Sequence, residues 1–235
     1  MKYLSSVCFG LVVLTSSLAN AGPVSDFEQE FRHLYGQYRV SLFQTNTGDQ
    51  KASMDAVSEL GQSWSSMADT YAEAPPPQYA DDALWPDTIA KVTRLVEQAR
   101  EEVAEAALPV AHETLELVRD AIGDLHRRNN IELFSDRMNA YHEEMEHLLE
   151  SSPATPDAVT MARERAAVLR YLADDVLLTP PPEASGNPEY ERLASEFSAS
   201  VQQLQDAARA GGEKELQDAL SKLKPVYSRF FLKFG

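Results

Sequence analysis

Between Phe27 and Phe234 apolar side chains recur at intervals of three and four, with none of the alternation a strand needs, so the chain reads as a series of amphipathic helices. The first carries Phe27, Phe31, Leu34, Tyr38 and Leu42, with Ser25 and Glu28 spaced as a capping box. The second runs from Met54 through Val57, Leu60, Trp64 and Met67 to Tyr71 and must stop before Pro75-Pro76-Pro77, because proline cannot continue a helix. A third follows Pro86 and a fourth follows Pro109, prolines well suited to a first turn. The pattern then restarts with Phe134, Met138, Tyr141, Met145 and Leu148. A sixth helix opened by Thr155-Pro156 ends at a second triple proline, Pro180 to Pro182; Asn187-Pro188 opens a seventh, and the eighth runs from Leu216 to Phe234.

A shift of 105 residues lays Pro75–Pro77 on Pro180–Pro182, Trp85 on Tyr190, Val92 on Phe197, Val118 on Leu223 and Leu125 on Phe230. The first helices need a shift of 107, which pairs Phe27 with Phe134 and Leu34 with Tyr141. Duplication explains both registers. The expected fold is all-α, two tandem up-down-up-down four-helix bundles over residues 22–130 and 131–235.

Residues 1–21 have a different character. Lys2, the apolar run Val7 to Leu14 and the ending Ala19-Asn20-Ala21 form a secretory signal peptide, which predicts cleavage after Ala21 and a periplasmic destination. No segment approaches the roughly 20 apolar residues a membrane span requires. Cys8, the sole cysteine, lies in that signal, so the mature chain would lack disulfides, thiolate metal sites, cysteine nucleophiles and covalent c-type haem. The full sequence's formal charge of −16 argues against nucleic acid as a partner.

The helix ending near a proline pair, the long connection into a third helix, and the Leu223-Lys224, Phe230 and Lys233 pattern of the last helix resemble the four-helix-bundle periplasmic cytochromes of the soluble cytochrome b and cytochrome c-prime type. Val118-Arg119, Leu125 and His126 echo that ending in the first half. The resemblance implies an axial histidine at His126, replaced by Phe231 in the second half. The family's methionine ligand on the first helix has no counterpart, His33 being nearest, so a haem b held by His126 and His33, or a haem-free member of the fold, are both implied.

Independently of that resemblance, Met138, His142, Met145 and Glu146 share one side of a helix by i, i+4 and i+7 spacing. Thioether and imidazole suit copper, whereas His142 with Glu146 suits zinc or iron, with His126 a nearby contributor. Met138 and Met145 equally fit the apolar stripe as core residues. The row His112, Glu116, Asp120 reads as a solvated acidic face. Glycine-rich phosphate loops, nucleophile elbows and a His-Glu-x-x-His sequence do not occur, so no enzymatic activity is expected.

Three functions follow from these residues. The first is a periplasmic, non-enzymatic binding protein for copper, iron or zinc through His142, Glu146, Met138, Met145 and His126. The second is a noncovalent b-type haem electron carrier. The third is a cofactor-free acidic module that docks a basic periplasmic or membrane protein.

Overall fold

A computed structural model describes residues 22–150 and 158–235. Among them the chain is all-helical, with no strand. Helices α1 (Pro23–Thr47), α2 (Gln50–Tyr71), α3 (Trp85–Ala104) and α4 (Leu108–Arg128) are followed by α5 (Phe134–Glu150), α6 (Ala158–Leu178), α7 (Pro188–Ala210) and α8 (Glu213–Phe234). The proposed signal peptide and the Thr155-Pro156 helix start lie outside the described residues. No described helix is long and apolar enough to cross a membrane.

Within each half consecutive helices pack side by side, α1 also lies on α4, and α5 lies on α8. The halves meet chiefly where α1 packs on α8. Most of the apolar positions read from the sequence are buried: Phe27, Leu34, Tyr38, Trp85, Val92, Tyr141, Phe197 and Phe230 are all nearly inaccessible to solvent, whereas Met54 and Tyr71 are partly buried. Both tryptophans use their indole N–H as they pack, Trp64 donating to Thr93 Oγ1 (2.8 Å) and Trp85 to the Tyr71 carbonyl (2.8 Å).

Each triple proline leads into the same device, a single 3-10 turn, at Pro77–Tyr79 and again at Pro182–Ala184, in register under the 105-residue shift. Phe27 and Phe134, the pair aligned by the 107-residue shift, are both core residues.

Helix starts differ from expectation in one place. Ser25 and Glu28 do not cap α1, which begins behind Gly22 with no side-chain cap and with Pro23 in its first turn. The proline's fixed φ opens the helix before Ser25 is reached. Asp49 caps α2 through the Ala52 N–H, and Asn187 caps α7 by accepting from Glu189 and Tyr190. Pro225 lies inside α8, and the carbonyl its ring deprives of an N–H belongs to exposed Ser221, where water can serve.

Between the halves, α4 ends with Asn130 in the left-handed region (φ 54°), and the Ile131 N–H returns to the His126 carbonyl (2.9 Å). This tight reversal brings the start of α5 beside the last turn of α4.

Candidate functional site: a cleft at the seam of the halves

Two polar clusters and one cavity occupy the seam. The first cluster holds His126, only 1% exposed, whose Nδ1 is 2.9 Å from both carboxylate oxygens of Asp136. Asp136 Oδ2 also accepts the Leu133 N–H (2.8 Å) near the start of α5, so one carboxylate ties the end of α4 to the opening of the second half. His126 Nε2 is buried with no hydrogen-bond partner. The ring stands edge-on to Phe31 (centroids 5.6 Å apart) and stacks on Tyr79 (6.5 Å).

An axial haem ligand does present its Nδ1–H to an acceptor and leave Nε2 open, as His126 does. The surroundings do not fit a haem held between two axial ligands. Phe31 is the α1 residue against the imidazole, Phe27 and Phe31 stack on one another, and Tyr79 stacks on Trp85, so aromatic rings fill this end of the half. His33 is exposed, with Gln37 as its neighbour (3.4 Å), and lines the seam cavity. His126 does not line that cavity and lies against Phe31 and Tyr79.

The second cluster contains His142. Arg119 Nη1 lies 3.2 Å from His142 Nδ1, and His142 Nε2 lies 3.2 Å from Glu146 Oε1, which also receives Lys224 Nζ (2.9 Å). Arginine can only donate, so Nδ1 is the accepting nitrogen and Nε2 carries the proton. Both nitrogens are engaged, and the ring lies flat on Tyr227, centroids 5.1 Å apart at 6°. The Glu146 carboxyl is held down at about 2, first by the His142 hydrogen bond, against burial, and further by Lys224.

Met138 and Met145 are fully buried in the core. The structure therefore joins His142 to Glu146 but uses both in a hydrogen-bonded chain running from Arg119 to Lys224, while the two methionines are core residues. Among the described residues no group of three or more His, Cys, Asp or Glu converges in ligating geometry. The acidic row on α4 is likewise engaged: Glu116 and Asp120 both pair with Arg119, at 3.4 and 3.5 Å, and His112 bonds to Thr45 Oγ1 and the Leu42 carbonyl, each at 3.1 Å. Burial lowers the His112 pKa.

The cavity has a volume of about 710 Å³, within the range of small-molecule sites. Its walls come from α1, the connection leading into α5, the turn after the second triple proline, and the end of α8. Phe27, Phe31, Tyr79, Leu133, Phe134 and Phe234 give part of it an apolar, mostly aromatic surface, and Glu28, His33, Gln78 and Ser135 are among its polar lining. Four cationic side chains, Arg32, Arg39, Arg137 and Lys233, also reach the wall of this strongly acidic chain.

Three of these cations are already paired with carboxylates, although the Arg137 Nε is buried outside hydrogen-bond geometry. Arg32 pairs with Glu183 (3.2 Å), Arg137 with Glu132 (2.7 Å) and Asp175 (3.2 Å), and Lys233 with Glu189 (3.7 Å). Arg39 has no carboxylate within 4 Å among the described residues, and its Nε is buried without a hydrogen-bond partner. Burial lowers its pKa, while Tyr35 and Glu183 act in the opposite direction. A second wall residue, Gln78, has a buried Oε1 equally unmatched.

Sequence reasoning passed over this cavity and its cations. One signal was present: Arg32, Gly36 and Arg39 fall at i, i+4 and i+7 on a single face of α1, around an isolated glycine inside a helical pattern. The walls supplied by Glu183 and Lys233 carry no local signal, because tertiary folding alone places them opposite α1.

Comparison with protein-family models, curated proteins and solved structures finds no match.

Proposed function

We propose that this chain is an exported, non-enzymatic binding protein of two tandem four-helix bundles, and that its ligand is a small, largely apolar organic molecule held in the seam cleft. The observation that carries the reading is the cleft assembled from both halves, with aromatic rings and unmatched Arg39 and Gln78 atoms on its wall. An unpaired buried polar atom costs stability, and a site that retains such atoms has something to gain when a ligand meets them. The helix pairing of α1 with α4 and of α5 with α8 supports the tandem-bundle architecture. Export rests on the sequence of residues 1–21, and N-terminal sequencing of periplasmic protein should return a chain beginning at Gly22.

Neutral N-phenyl-1-naphthylamine, which fluoresces in apolar surroundings, tests the cleft directly. It should bind at one molecule per chain. Gly36→Leu should abolish that binding, because Gly36 lines the cleft and an added Cβ meets only the Arg39 guanidinium, at an ordinary 3.5 Å. Helix propensity favours the replacement, so folding survives. Undiminished probe binding by correctly folded Gly36→Leu protein would remove the cleft as the site.

A further inference from the structure

The cleft reading can be carried to a ligand class through the charges on its wall. Arg32, Arg137 and Lys233 are each held by a carboxylate of the protein itself. Arg39 alone among the four has none; its Nε, like that of Arg137, is buried without a hydrogen bond, but Arg39 has no ion pair to offset this. A guanidinium is a flat, permanently charged fork that matches a carboxylate with two parallel N–H···O bonds. Nearby Arg32 is spaced one helical repeat of seven along α1 and is tied to Glu183, which turns its charge away from a second anionic group. The three glutamates of the wall, Glu28, Glu132 and Glu183, are taken up by Arg32 and Arg137, and the aromatic and apolar residues make up the larger part of the rest, so the complementary molecule has one acidic head and an apolar body.

We propose that the cleft binds an amphipathic monocarboxylate, its carboxylate seated on Arg39 and its hydrocarbon or aryl body against Phe27, Phe31, Tyr79 and Phe234. The inference rests on the cleft being the site. It adds that recognition is by charge at one residue. A neutral molecule of the same shape fills the same apolar walls but leaves the Arg39 fork unmatched. The strongly acidic exterior of the chain would repel an anion at long range, and this repulsion weakens with salt. Association with the acid should therefore quicken as ionic strength rises, opposite to the behaviour of a site approached through a basic surface.

Calorimetric titration of the full chain with sodium dodecanoate and with methyl dodecanoate separates the two ideas. Dodecanoate should bind at one per chain and at least about tenfold more tightly than the ester, a ratio expected of one charge-assisted pair. Arg39→Gln should bring the acid to the level of the ester and leave the ester unchanged, while Arg39→Lys should recover part of the preference because it restores charge without the fork. Circular dichroism of the variants fixes their folding, which is not at risk from removing a cation that has no protein partner. Equal binding of acid and ester, or an acid preference that survives Arg39→Gln, would overturn the monocarboxylate inference while the cleft stands. If Gly36→Leu also leaves both titrations unaltered, the cleft itself is refuted.

Discussion

Glu146 shows how a side chain suited to a metal is committed elsewhere. Its carboxyl sits at about 2, below the 4.3 or so of an unfolded glutamate, first because His142 hydrogen-bonds it. A carboxyl depressed by folding stabilises the folded state fully above the unfolded value, and that contribution disappears as pH falls through the folded one. Glu146→Gln should therefore cost about 1–2 kcal/mol at pH 7, after allowance for solvent screening at a partly exposed site. The difference from wild type should shrink between about pH 4.5 and pH 2. Urea unfolding at pH 7, 4 and 3 checks this, and a gap that stays constant would mean the carboxylate charge is not its source. Asp82 is a stricter case, since its side chain is 5% exposed and binds both Arg128 (2.8 Å) and Asn129 (3.0 Å). Burial opposes its ionisation, but the Arg128, Asn129 and Leu84 hydrogen bonds prevail and lower its pKa. Asp82→Ala should cost about 3 kcal/mol by leaving Arg128 unpaired, and the loss should appear as a lower urea midpoint.

At the level of the helices, periodicity is a good guide because each segment has one apolar face to bury, and the register of that face does not depend on what lies opposite. Starts are less legible, since several residues near a helix can supply a cap and only backbone geometry selects one. Ser25→Ala should leave stability within about 0.5 kcal/mol, whereas Asn187→Ala, which removes a cap accepting two N–H groups, should cost about 1 kcal/mol. Thermal melts of the two variants side by side decide between the sequence reading and the structure. Ala106 lies in the left-handed region at φ 59° in the reversal between α3 and α4, a conformation that favours glycine. The methionines, read as either ligands or core, became core because Met138 and Met145 fall on the same stripe as Tyr141 and Leu148. Nothing in a single helix could separate those roles. The answer depended on α8, whose Lys224 and Tyr227 occupy the polar side of α5.

Across the whole molecule, the halves are linked by contact of α1 with α8, by Asn139 Nδ2 donating to Tyr35 Oη (3.1 Å), and by the His126–Asp136 and Arg119–His142 contacts. With so many ties, removing volume from one core should weaken both. Leu169 is fully buried in α6, and Leu169→Ala should lower stability by about 2–5 kcal/mol in one calorimetric transition rather than splitting it into two. Two separated peaks would show that the halves unfold independently. The cleft adds a consequence for how the protein is made. Its walls join α1, the first of the described helices to leave the ribosome, to Lys233 and Phe234 at the end of α8, the last. While the chain is still being synthesised, Phe27 and Phe31 can already pack on Tyr79, Trp85 and His126 of their own half, but the wall opposite them is missing, and the cleft takes shape only when α8 arrives to close it.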